Sequence, residues 1–223
     1  VRFPVIVLNV KAYAESAGER GLALARACEE VTKETGVATA VCPQQVDLAL
    51  IAKSVDIPVL AQHVEAYEAG SRTGYIVLES VKAAGAAGTL LNHSEHPMHI
   101  AAIDAVIRRA KKLGLLTLAC ANNTSVSVSI AALHPDIIAV EPPALIGSGI
   151  PVSKADPEIV RNSVEAVKKI SGDTHVLCGA GITTGSDVKA AIELGAEGVL
   201  LASGVVKAKD PKKALLDLAS GVP

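Results

Sequence analysis

Three apolar runs in this chain stop on residues able to do chemistry. The run VIVLN (Val5 to Asn9) ends in an amide, and Lys11 follows two positions later. The run GTLLN (Gly88 to Asn92) leads straight into His93, and IIAVE (Ile137 to Glu141) closes on a carboxylate. On an extended strand, residues two apart face the same side, so Asn9 and Lys11 share a face with Val5 and Val7. An ammonium there is a partner for an anion, although a lysine just past a strand end also snorkels to water for no further reason. His93 opens the stretch HSEHPMH. A helix beginning near Pro97 would set the positive end of its dipole beside the ring and favour a neutral imidazole. Such a ring donates a hydrogen bond to a carbonyl oxygen without carrying charge. Two readings compete: a hydrogen-bonded structural histidine, or a metal cluster of His93, His96 and His99, which the break at Pro97 works against. Ser94-Glu95 reads as capping and orienting chemistry.

Glu141 belongs to VEPPALIGSG (Val140 to Gly149). Pro142 biases Glu141 towards extended backbone, and the two prolines stiffen the outgoing chain. Leu145 and Ile146 need something to cover, while Gly147 and Gly149 offer hinge freedom and bare amides. A stiff start, an apolar middle and a flexible finish describe a loop that moves as a lid; the alternative is a long connection with a polar rim. Two more apolar runs end in small residues, Gly179-Ala180-Gly181 and Ala202-Ser203-Gly204. Small residues let backbone N–H groups approach a phosphate, though such triplets also make plain turns.

The elements that must position these groups alternate along the chain. Apolar runs fall at Val5 to Asn9, Ala38 to Cys42, Pro58 to Gln62, Gly88 to Asn92, Leu115 to Cys120, Ile137 to Glu141, His175 to Cys178 and Gly198 to Leu201. Segments of helical periodicity lie between and after them, two of them weak: VKAA is short, and SVSVSI alternates like a strand. Strand–helix alternation predicts an α/β fold with a parallel sheet and right-handed crossovers. Eight such units point to a closed (β/α)8 barrel over an open sheet, and no G-x-G-x-x-G follows the first strand. No linker divides the chain, so residues 1–223 read as a single domain. VKAAGAAGTLL (Val81 to Leu91) echoes VKAAIELGAEGVLL (Val188 to Leu201), four units apart. In a barrel, the polar strand ends collect at one mouth, where barrel chemistry resides.

Half of the residues are hydrophobic but only 2% aromatic, so Val, Ile, Leu and Ala must make the core. The net charge of -2 gives no long-range attraction to nucleic acid or to an anionic membrane. The four cysteines show no C-x-x-C spacing, which favours reduced thiols in an intracellular protein over disulfides or zinc. The N-terminal apolar stretch is too short for a signal sequence, and no apolar run spans a bilayer. The expectation is a cytoplasmic protein.

The motifs together resemble the triosephosphate isomerase family, nearly end to end and in order. That family carries N-x-K after strand one, G/N-H-S-E after strand four and E-P-x-x-x-I-G-x-G after strand six; this chain has NVK, NHSE and EPPALIGSG. AQHVEAYEAGSRTG (Ala61 to Gly74) also resembles the family's long third loop, through which subunits interlock. Departures are a lid without Trp, CANN in place of an acidic signature after strand five, and GAG where G-G-S is usual. Gly181 thus replaces a serine, leaving phosphate contacts there to the backbone. The short chain resembles the archaeal branch, which is typically tetrameric.

The resemblance implies a (β/α)8 TIM barrel acting in glycolysis and gluconeogenesis. The activity it implies is interconversion of dihydroxyacetone phosphate and D-glyceraldehyde 3-phosphate through an enediolate. It implies Glu141 as base, His93 as electrophile and Lys11 as charge stabiliser. Asn9, Lys11, Ile146, Gly147, Gly181, Ala202 and Ser203 would bind substrate, without metal or organic cofactor. The lid, Pro142 to Gly149, would keep water from the enediolate. The partners implied are a phosphorylated triose and copies of the same chain, as a homotetramer rather than a homodimer. Another phosphosugar barrel, such as a pentulose-phosphate epimerase with metal ligands at several strand ends, is the enzyme rival. A non-catalytic phosphate-binding barrel is the other.

Overall fold

A computed structural model describes residues 1–146 and 150–223. Eight strands follow one another as β1 (Val5–Asn9), β2 (Ala38–Cys42), β3 (Leu60–Ala61), β4 (Gly88–Leu91), β5 (Leu116–Ala121), β6 (Ile137–Val140), β7 (His175–Cys178) and β8 (Gly198–Leu201). The helices α1 (Glu19–Thr35), α2 (Leu48–Ala52), α3 (Leu78–Ala83), α4 (Ile100–Leu113) and α5 (Thr124–Ala131) fill the first five connections. Then come α6 (Val152–Ala155), α7 (Pro157–Ile170), α8 (Gly185–Glu193), α9 (Ser203–Val206) and α10 (Pro211–Ser220). All pairings are parallel, in the order β2-β1-β8-β7-β6-β5-β4-β3. The remaining seam, β2 to β3, closes through one parallel bridge between Val41 and Val59, with the Val41 N–H donating to Pro58 C=O at 3.1 Å. The result is a (β/α)8 TIM barrel.

Alternation along each strand sorts the core into two layers. Val5 and Val7 point into the barrel and pack with Leu60, Leu90, Leu118 and Leu200. Ile6 and Leu8, one position off, face outward under the helices and join a second cluster with Leu22 and Ala25 of α1. A parallel sheet covered on one face and filled on the other leaves no strand side in water, hence the continuous apolar runs.

The strand limits follow the sequence to within one residue except at β3, where Pro58 has no N–H to give and regular pairing covers two residues only. SVSVSI is helix, not strand. Asn123 caps α5, its side chain accepting the Val126 N–H at 2.9 Å. Ser127 and Ser129 turn their hydroxyls back to the carbonyls four residues earlier. The helix forms with these local bonds in spite of its period-2 apolar pattern. The two echoing segments share a steric reason. Gly85 (φ 93°) and Gly195 (φ 94°) turn the chain from helix to strand in left-handed geometry. A Cβ on Gly88 or Gly198 would overlap the Leu116 or Val5 carbonyl of the adjoining strand.

Candidate active site

The carboxyl ends of β1, β4, β6, β7 and β8 open on one cleft. Asn9, Lys11, His93, Glu141, Ile146, Gly181, Ala202 and Ser203 all reach it. Gly147 lies outside the described residues. The described members of the expected set thus lie at one mouth of the barrel.

Glu141 sits one residue past β6, still laddered through its N–H to the Ala121 C=O at 2.8 Å. Its side chain is 5% exposed, and Oε2 stands 3.6 Å from His93 Nε2. Burial pushes the carboxyl up to about 7; the Cys120 thiol hydrogen-bonded to it and the Lys11 ammonium only partly oppose this. Gly179 makes room, for a Cβ there would overlap Glu141 Cγ. That glycine is a steric requirement of the carboxylate rather than a turn element.

His93 is also buried, and the structure corrects the reason for its neutrality. α4 begins at Ile100, not near Pro97, with His99 at its N-cap, so the ring does not open a helix and Ser94-Glu95 caps none. Instead the Glu95 N–H donates to His93 Nδ1 at 3.2 Å. A nitrogen that accepts cannot carry the proton, so the neutral ring holds it on Nε2, facing Glu141. Burial, and then the Lys11 charge, hold the imidazole below its usual range, against the pull of Glu95. Asn92 fixes this turn in left-handed backbone (φ 55°), its amide donating to Cys120 C=O at 3.0 Å and accepting the Met98 N–H at 2.9 Å.

Lys11 does not continue the strand. Its φ is 51°, and its N–H donates to Asn9 Oδ1 at 3.0 Å, so Asn9 turns the backbone instead of lying beside Lys11 on one strand face. A non-glycine residue in this region is strained and persists only where neighbours hold it. Gln62 supplies part of that hold, donating from Nε2 to the carbonyls of Lys11 and Cys42, each at 3.0 Å. The ammonium meets Glu95 Oε1 at 2.7 Å and is mostly covered, which is not the posture of a snorkelling lysine.

At the other end of the cleft, Gly181 (φ 74°) lies against the Ile150 carbonyl, too close for any Cβ. The amides of Ser203 and Gly204 precede the first intrahelical bond of α9, Val205 N–H to Ala202 C=O. Ile146 lines the cleft, but its amide is already engaged by Pro143 C=O at 3.2 Å, at the end of a 3-10 turn over Pro143–Leu145. Sequence reasoning missed Tyr13, Ile182 and Thr183, which also line the cleft. The position of Thr183 two residues past Gly181 was the available signal; for Tyr13 there was none. His96 stacks on His63 at 3.7 Å instead of turning to a shared ion, and His99 precedes α4. Among the described residues, no group of three or more His, Cys, Asp or Glu is placed to hold a metal.

The order NVK, NHSE, EPP and the meeting of their side chains at one mouth invite comparison with known proteins. A family model described as triosephosphate isomerase matches residues 4–221. This chain belongs to the triosephosphate isomerase family. It is similar to the triosephosphate isomerase of Methanothermobacter thermautotrophicus, 56% identical over 219 residues that cover 98% of this chain and 96% of the relative. It is likewise similar to those of Methanocaldococcus jannaschii, at 56% over 214 residues (96% and 98%), and Methanopyrus kandleri, at 55% over 224 residues (100% and 99%). The chain is thus an isomerase on a TIM barrel, and its shortness is shared with archaeal relatives. No helix among the described residues is long and apolar enough to cross a membrane.

Proposed function

We propose that this chain interconverts dihydroxyacetone phosphate and D-glyceraldehyde 3-phosphate, with Glu141, His93 and Lys11 as the catalytic groups. The observation that carries the assignment is the approach of the buried Glu141 carboxylate to His93 Nε2, 3.6 Å apart, with Lys11 lining the same cleft. Glu141 takes the proton from the carbon next to the carbonyl and returns it to the neighbouring carbon. A carboxyl held near 7 by burial is a stronger base than one in water, and still ionises at neutral pH. His93, donating from Nε2, stabilises the oxygens of the enediolate as charge develops on them, and the Lys11 ammonium adds to this. Such donors act strongly because their side chains are largely covered and need little reorganisation.

The phosphate is assigned to Gly181, Ala202 and Ser203 through their backbone, with Asn9 holding the Lys11 turn. Ile146 and Gly147 complete the set only if the Ile146 amide leaves Pro143. We assign to Pro142 and the residues after it the task of keeping water from the enediolate, which would otherwise shed its phosphate. The whole of residues 1–223 works as one domain, in the cytoplasm, as part of glycolysis and gluconeogenesis.

We also assign a homo-oligomer, a homotetramer in preference to a homodimer. Residues from Tyr67 to Tyr75 are all exposed, yet the loop is built rather than loose. Glu65 and Ile76 close its base through bonds of 2.8 and 2.6 Å, Tyr67 and Tyr75 meet edge to face, and Arg72 lies over the Tyr67 ring. A braced, exposed aromatic loop fits a subunit contact.

The test is a coupled assay with D-glyceraldehyde 3-phosphate on the wild-type chain and on Glu141→Gln. Wild type turns over, while the variant keeps the fold and binds inorganic phosphate but loses activity by about three orders of magnitude or more. An unchanged rate in Glu141→Gln removes the base assignment.

A further inference from the structure

Asp187 is 2% exposed, and four donors converge on it. Its Oδ2 accepts the Thr183 N–H and O–H, both at 3.1 Å, and the Thr184 N–H at 2.9 Å. Thr184 and Asp187 form a capping box on α8, which accounts for that oxygen. The other oxygen, Oδ1, is unnecessary to the cap. It accepts Lys154 Nζ at 2.6 Å. Lys154 belongs to α6, in the β6–α7 connection whose first residue is Glu141. Thr183 lines the cleft two residues after Gly181. The same two segments touch a second time where Gly181 lies against the Ile150 carbonyl with no space for a Cβ. One ion pair and one close contact thus clamp the segment that bears the base to the segment at the phosphate end.

We propose that Lys154 is a positioning residue for the phosphate of the substrate. Through Asp187 it holds the Gly181–Thr183 stretch in register with the connection that starts at Glu141. The inference rests on the assignment of the cleft to a phosphorylated triose. Stability alone is a weak explanation for the pair: the Lys154 side chain is 55% exposed, and an ion pair with an exposed partner usually contributes little. Geometry is a better one. Phosphate binding energy speeds the chemistry only if the phosphate and the base stand at a fixed distance, since small misplacements lower the rate steeply. Without Lys154, Asp187 still caps α8 and holds Thr183, so the loop persists, but only the Gly181–Ile150 contact then registers it to the β6–α7 connection.

The experiment uses Lys154→Met and Lys154→Arg in the full chain, leaving the buried Asp187 intact so that folding is preserved. Two reactions are compared: isomerisation of D-glyceraldehyde 3-phosphate, and deuterium exchange into D-glyceraldehyde, which lacks the phosphate. Lys154→Met lowers kcat/KM on the phosphorylated substrate by about tenfold or more and leaves exchange into D-glyceraldehyde at the wild-type rate. Lys154→Arg restores the phosphorylated reaction to within about threefold, because Asp187 offers a single oxygen that either cation can reach. A wild-type kcat/KM in Lys154→Met, an equal fall on both substrates, or an Arg variant as poor as Met would overturn the proposal. Absence of isomerase activity in the wild-type chain would overturn the functional assignment itself, and this inference with it.

Discussion

Glu141 is 4% exposed, and its Oε2 has no hydrogen-bond partner among the described residues. A charge in that position is unfavourable for the fold and useful for proton transfer. The sign of its contribution to stability follows from its titration, which moves from 4.5 up to about 7 on folding. Between those values the folded state holds a proton that the unfolded chain has released, so stability falls as pH rises through this window. Glu141→Gln removes the effect. At pH 8 the variant is more stable than wild type by roughly 3 kcal/mol at most, and the difference closes as pH falls to about 4.5. Urea unfolding at pH 5 and pH 8 measures it, and an equal gap at both values contradicts the assignment. Over the same window, the wild-type kcat/KM climbs as the base ionises.

Strand starts carry as much constraint as strand ends. Gly198 opens β8 at φ 144°, where a Cβ would overlap the Val5 carbonyl that the β1–β8 pairing brings alongside. Gly198→Ala therefore destabilises the barrel by roughly 2–4 kcal/mol, whereas an alanine at Gly36, which has open space around it, costs only about 1 kcal/mol for its left-handed φ. Thermal melts of the two variants make the comparison; equal shifts would mean that strand closeness is not the cause. The echo between Val81–Leu91 and Val188–Leu201 is legible in these terms. Each segment needs one glycine to turn from helix to strand and another to let neighbouring backbones approach. By contrast, α5 was only weakly legible as a helix, because its period-2 apolar pattern competes with the Asn123 cap and the serine back-bonds.

The barrel as a whole carries few aromatic residues and seals its interior with aliphatic side chains and buried cysteines. Its aromatic contact surface is instead concentrated in the exposed loop that holds Tyr67 and Tyr75. The homotetramer assignment predicts a species of four times the 22.7 kDa chain mass in sedimentation equilibrium at micromolar concentration. Tyr67→Ala together with Tyr75→Ala shifts that mass downward, since aromatic anchors carry much of the energy of such contacts. A wild-type chain that sediments at a single-chain mass rejects the assignment.

Order along the sequence determined the strand count, most strand limits and the identity of the polar strand ends, because a parallel barrel buries every strand and collects their termini at one mouth. It did not determine how those ends are held. Lys11 held in left-handed backbone by Gln62, Gly179 yielding space to Glu141 and the Lys154–Asp187 bond each join residues from separate segments. Such contacts have no period and no fixed spacing, so only the closed barrel, bringing distant loops within hydrogen-bond reach, decides them.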